Sequence, residues 1–168
     1  AQASGLAHQV VIPTLPHLAD RVAELFAPLS PVIIGAARGD AAQAARTRLV
    51  AMAREDIALA ASGTVSLELA AVRTPMVIAY DMNWISRQII RRMLLTDTVT
   101  LVNLVSDTRV VPEFIGANCQ SDQIAAALLA IQSDPTAQLA ALDLTMDRLG
   151  RGGDAPGLRA ARAVLARL

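Results

Sequence analysis

The sequence predicts an α/β fold, a parallel sheet flanked by helices and followed by a helical tail. Three observations predict it. Short β-branched runs recur as far as residue 101, helical apolar spacing fills the intervals between them, and no hairpin signal joins two neighbouring runs. Strands connected only through helices must lie parallel, with the helices covering both faces of the sheet.

The elements follow in order. Val10-Val11-Ile12 is a β-branched run closed by Pro13 and reads as a buried strand. After Pro16, Leu18, Val22, Leu25 and Phe26 recur at helical spacing, and Pro28 ends that helix. Val32-Ile33-Ile34, between Pro31 and Gly35, is the second strand. Asp40 then caps an Ala- and Arg-rich helix reaching about Ala53, and Ile57 to Ala60 is the third strand. The turn Ala61-Ser62-Gly63 leads into a helix from Thr64 to about Val72. Pro75 to Tyr80 is the fourth strand, residues 84 to 95 form a helix, and Val99 to Leu101 is read as the fifth strand. From Ser121 the pattern is wholly helical: residues 122 to 132, then 135 to about 149. A break at Arg151-Gly152-Gly153-Asp154 precedes a last helix opened by Pro156. The expected organisation is a Rossmann-like domain over 1–120 and a helical extension over 121–168, packed on the same domain or on a partner.

Composition excludes several classes. The chain has 168 residues, 15 Lys+Arg against 15 Asp+Glu, and every one of the basic residues is Arg. Zero net charge gives no general field for nucleic acid. Apolar residues make up 54%, too many for a disordered chain. The run from Ile57 stops at Glu68, short of the about 20 apolar residues a membrane span needs. The lone Cys119 allows no internal disulfide and reads as a small buried residue in a reducing compartment. His8 and His17 lack acidic or thiol companions, so no metal site is expected. The chain opens Ala1-Gln2-Ala3-Ser4, with neither Met nor a basic leader, and is expected to be a fragment or trimmed chain.

Chemistry concentrates at Ala60-Ala61-Ser62-Gly63-Thr64-Val65-Ser66-Leu67-Glu68, where the chain leaves the third strand and enters a helix. Gly63 lets backbone approach a ligand, the first helical N–H groups are unpaired, and the helix dipole favours an anion. With the Ser62 and Thr64 hydroxyls, a pyrophosphate fits without any lysine. Glu68, one turn further on, is placed to accept two hydrogen bonds from a ribose diol. The competing reading is that Ser62 or Thr64 merely caps the helix while Glu68 is solvated.

Ligands of open α/β sheets sit beyond the carboxyl ends of the strands, so Asn103, just past the expected fifth strand, is a second candidate. Its alternative is an Asx-type turn residue. Asp107, Arg109 and Glu113 follow as charges that are commonly solvated. On the helix at 84 to 95, Ile85, Ile89, Ile90, Met93 and Leu94 share one side, with Arg87, Gln88, Arg91, Arg92 and Trp84 on the other. A Trp among arginines suits a surface that meets anionic lipid headgroups; the alternative is a solvated basic face.

From Ala61-Ser62-Gly63-Thr64-Val65-Ser66-Leu67-Glu68 onward the chain resembles lipid-A-disaccharide synthase. Thr74-Pro75-Met76-Val77-Ile78-Ala79-Tyr80 is similar to that family's next strand, Asn83 to Leu94 to its Arg-rich helix, and Leu101-Val102-Asn103-Leu104 with Val111-Pro112-Glu113-Phe114 to its Asn loop and Val-Pro-Glu segment. Ile12-Pro13-Thr14 and Pro16-His17 resemble an earlier strand–helix junction, so the likeness covers most of residues 10 to 132. The resemblance implies a GT-B glycosyltransferase with two Rossmann-like domains, of which this chain is the carboxyl-terminal, donor-binding half. It implies inverting transfer from UDP-2,3-diacylglucosamine to a lipid monosaccharide 1-phosphate, without metal or other cofactor, at the cytoplasmic face of the Gram-negative inner membrane.

By match to the motif, Ser62, Gly63 and Thr64 hold the pyrophosphate, Glu68 the ribose, and Asn103 sits by the reacting sugar. The family's catalytic base and its Gly-Ser-Arg loop lie outside this sequence, so the isolated chain is expected to bind UDP weakly and to be inactive. Where the family reads Pro-Asn and then Gly-Arg, this chain has Val102-Asn103 and Asp107-Thr108, with Arg109 one place late. Two alternatives stand beside this reading: half of another UDP-sugar GT-B enzyme or epimerase, and a Rossmann-like interaction module without substrate. The Leu158, Leu165 and Leu168 row of the last helix would need covering by its own domain, by the amino-terminal half, or by a second copy.

Overall fold

A computed structural model describes residues 8–35, 41–61, 63–81 and 97–167. Ser62, Asp40, Leu168 and the expected helix at 84 to 95, with Trp84, Arg87, Arg91 and Arg92, lie outside the described residues.

Every strand pairing is parallel, as the crossover pattern requires, but the strands form two sheets. In the first, β1 (Val11–Thr14) pairs with β2 (Val32–Gly35), with Val11 opposite Val32. β1 runs through Pro13 rather than stopping there; in a two-stranded sheet each strand keeps an edge free, so the missing N–H breaks no ladder. In the second sheet β3 (Ala58–Ala60) and β5 (Glu113–Ile115) flank β4 (Met76–Tyr80). Met76, Val77 and Ile78 are completely buried, as befits an apolar central strand covered on both faces. A cavity of about 600 Å³ separates the two sheets, bordered by Val11 of β1 and Leu59 of β3.

Among the described residues the helices follow the expected order, save one after Thr100 where a strand and loop are expected. A 3₁₀ turn at Pro16–Leu18 leads into α1 (Ala19–Leu25); α2 (Ala41–Met52) and α3 (Thr64–Ala71) flank β3. After Thr100 come α4 (Leu101–Ser106), α5 (Ser121–Ser133), α6 (Thr136–Arg148) and α7 (Pro156–Leu165). α5 packs against β4, and α6 against α3 and α4. The core draws Met52 from α2, Leu69 and Ala70 from α3, Met76 and Ile78 from β4, Val102 from α4 and Leu142 from α6.

Gln138 of α6 is buried and spans the core wall. Its Oε1 accepts the Met76 N–H, and its Nε2 donates to the carbonyls of Met76 (3.0 Å) and Val110 (3.2 Å). Thr145, also buried, donates to the Ala141 carbonyl at 2.7 Å. α7 differs from its neighbours: its described side chains are all exposed. Its polar side is tied down, Arg159 donating to the Leu149 carbonyl and Arg162 pairing with Asp154, which leaves Leu158, Val164 and Leu165 in solvent.

The expected fifth strand at Val99 to Leu101 is corrected by the structure. Thr98 to Thr100 have no regular structure, Leu101 opens α4, and the strand beside β4 is Glu113–Ile115. The N–H groups of Val99 and Thr100 explain the change, because both donate to the Glu113 carboxylate and not to a strand ladder. Asn103 accordingly stands on a helix, not at the end of a strand.

Candidate functional site

The parallel register of β3, β4 and β5 brings the carboxyl ends of those strands to one edge. There Ala61 and Gly63 follow β3, Asp81 follows β4, and Gly116 follows β5. This is the edge at which open α/β sheets bind ligands. α3 begins at it, aimed by a glycine with an unusual backbone: Gly63 has φ +114° and ψ −156°, a conformation essentially reserved for glycine. Among the described residues beyond its chain neighbours, no heavy atom lies within 4 Å of where a Cβ would stand. No described residue beyond those neighbours fills the space over Gly63.

Gly63 is also the N-cap of α3, and no side-chain hydrogen bond caps the helix. Its carbonyl accepts both the Ser66 N–H (3.2 Å) and the Ser66 hydroxyl (2.8 Å). Thr64 is therefore the first helical residue and not the cap. The N–H groups of Thr64 and Val65 fall before the first helical acceptor and, with the dipole behind them, suit an anion.

Glu68 lies on α3 one turn beyond Thr64 and is not a free solvated charge. Arg48 of α2 holds it with two parallel hydrogen bonds, Nε to Oε2 at 3.1 Å and Nη2 to Oε1 at 2.9 Å. The same arginine lines a cleft of about 150 Å³ with Pro13, Thr14, Leu15 and Ile34, where β1 and β2 end. It also borders the larger cavity, which reaches Ala61 and Val65. Sequence reading missed Arg48, one of several arginines in an Ala-rich stretch twenty residues before its partner.

Asn103 is buried, and its amide is engaged. Nδ2 donates to the Val111 carbonyl at 2.9 Å and Oδ1 accepts the Val111 N–H at 3.1 Å. Nδ2 also reaches Thr98 Oγ1 and Glu113 Oε1, both at 3.3 Å. Asn103 thus clamps α4 onto the segment leading into β5. Asp107 takes a left-handed φ of +59° and closes α4, a conformation aspartate tolerates. Arg109 is spent on the surface, donating to Asp97 at 2.9 Å.

Glu113 is the centre of this clamp, accepting from Thr98 Oγ1 and from the N–H groups of Val99 and Thr100. Burial pushes its carboxyl up, but the hydrogen bonds from the Thr98 hydroxyl and from the Val99 and Thr100 N–H groups outweigh it and hold it below the usual glutamate range. A carboxyl depressed on folding adds stability above its unfolded value of about 4.5, and that stability is lost as pH falls through the lower folded value. Denaturant midpoints measured from pH 7 downward are expected to fall below about pH 4.5 in the wild type. Glu113→Gln should be less stable at pH 7 and flatter across that range; an equally steep acid limb in the variant would rule the clamp out as its source.

No group of three or more His, Cys, Asp or Glu suited to a metal ion occurs among the described residues. Nor, among them, is any helix long and apolar enough to cross a membrane.

Parallel strands flanked by helices, with a glycine-capped helix at their carboxyl edge, form a Rossmann-like α/β half. The sequence profile of the family described as lipid-A-disaccharide synthetase matches residues 39–150, and the chain belongs to that family. It is 59% identical over 162 residues to the lipid-A-disaccharide synthase of Ruegeria pomeroyi, covering 95% of this chain and 40% of the relative. It is 39% identical to the synthase of Rhodospirillum centenum, with 94% and 38% covered, and 40% identical to that of Paramagnetospirillum magneticum, with 93% and 40% covered. The chain thus spans about two fifths of the length of these relatives.

Proposed function

We propose that the chain supplies the donor-nucleotide site of a lipid-A-disaccharide synthase. On this reading the pyrophosphate of UDP-2,3-diacylglucosamine lies over Ser62, Gly63 and Thr64, and Glu68 accepts the ribose hydroxyls. The observation that carries it is Gly63: a glycine-only backbone at the start of α3, where no side chain caps the helix and no described residue beyond its chain neighbours fills the space above it, at the carboxyl edge of the sheet. Backbone N–H groups and the helix dipole stabilise the departing UDP as the glycosidic bond breaks, and the reading asks for no metal. Asn103 contributes through the segment it clamps behind the reacting sugar. The base that activates the acceptor hydroxyl of the lipid monosaccharide 1-phosphate is assigned to the amino-terminal part of the longer relatives.

Calorimetric titration tests the site itself. UDP is expected to bind this chain weakly and saturably, and Glu68→Ala to lower the affinity. No heat, with Glu68→Ala indistinguishable from wild type, would leave a Rossmann-like module in which α3 has only a structural start.

The same reading sets the enzyme against the cytoplasmic face of the inner membrane, with Trp84, Arg87, Arg91 and Arg92 meeting anionic headgroups. Co-sedimentation with anionic vesicles should drop severalfold in Trp84→Ala. Unchanged co-sedimentation would remove that face from the account.

A further inference from the structure

We infer that Arg48 is a positioning residue for nucleotide binding, holding the Glu68 carboxylate in the orientation that accepts a ribose diol; the inference rests on the nucleotide reading above. A carboxylate offers about four lone-pair sites, and the Arg48 fork uses two, one on each oxygen. Two remain, one per oxygen, matching the 2′- and 3′-hydroxyls of a ribose.

Charge makes the same point. A bare glutamate one turn from a diphosphate site would repel its ligand, and a guanidinium forked onto it offsets that repulsion while leaving its acceptors in place. Position agrees as well, since Arg48 borders both the cleft at the ends of β1 and β2 and the cavity reaching Ala61. Were the pair only a strut between α2 and α3, it would hold little, because its side chains are 38% and 31% exposed. Arg48→Ala is therefore expected to fold.

The test compares UDP with 2′-deoxy-UDP by calorimetry in the wild type, Arg48→Ala and Arg48→Lys. The wild type is expected to prefer UDP by about tenfold, because one acceptor is left unpaired by the deoxy ligand. In Arg48→Ala the preference should collapse toward unity, and Arg48→Lys, which cannot fork, should lie between. A purely structural role would lower both affinities and leave their ratio unchanged. An unchanged ratio in Arg48→Ala, with UDP still bound, overturns this inference alone. Failure of the wild type to bind UDP overturns the nucleotide reading and the inference with it.

Discussion

Replacing Gln138 by Leu is expected to destabilise the protein by roughly 3–5 kcal/mol, the sum of two or three buried polar groups left unpaired. The side chain is almost the size of leucine, so the loss does not come from a cavity. It comes from Met76 N–H and Met76 C=O, which a leucine leaves unpaired in the core, and from the partly buried Val110 C=O. β4 enters the core at Met76, and the loop before β5 passes at Val110, so one amide from α6 fixes both against the helix layer. Gln132→Leu on the exposed side of α5 is the control and should move stability by no more than about 0.5 kcal/mol. Chemical denaturation of the two variants side by side measures the difference. Equal midpoints would mean that the amide is replaceable and that α6 is held by apolar packing alone.

The second large effect is expected on ligand affinity. Gly63→Val should abolish measurable UDP binding, a loss of at least about a hundredfold, through two routes that act together. A β-branched residue cannot hold φ +114° without strain of about 1–3 kcal/mol, so the backbone relaxes and the Thr64 and Val65 N–H groups turn away. The valine side chain also fills the open space above Gly63 where the phosphate is expected. Because no described residue beyond the chain neighbours lies within 4 Å of that Cβ, the fold itself should survive, with only α3's first turn disturbed. Circular dichroism near that of the wild type, together with lost UDP binding, is the expected pair of results. Undiminished binding would place the nucleotide elsewhere.

The sequence carried the order of the elements further than it carried the interactions that settle them. β1, β2 and β4 were legible because Val11-Ile12, Val32-Ile33-Ile34 and Met76-Val77-Ile78 are apolar runs bounded by Pro or Gly. The fifth strand was not, because Val99-Thr100-Leu101 has the better β pattern. Only the fold brings the Glu113 carboxylate onto its N–H groups and gives the ladder to Glu113–Ile115. The strand–turn–helix junction at Gly63 and Thr64 was legible from the sequence. The Arg48–Glu68 pair was not, since spacing along the chain says nothing about which arginine of α2 faces α3. Asn103 shows the opposite limit: a polar residue in an apolar run signals a special position, yet burial and the Val111 backbone decide what it does there.

The central claim is that UDP binds over Gly63 at the start of α3. Amide chemical-shift mapping of the isotope-labelled chain during a UDP titration tests it most directly. The largest shifts are expected on Gly63, Thr64 and Val65, with Glu68 and Arg48 following, all saturating together. Saturable shifts centred elsewhere, or none near α3 at UDP concentrations that saturate other sites, would contradict it.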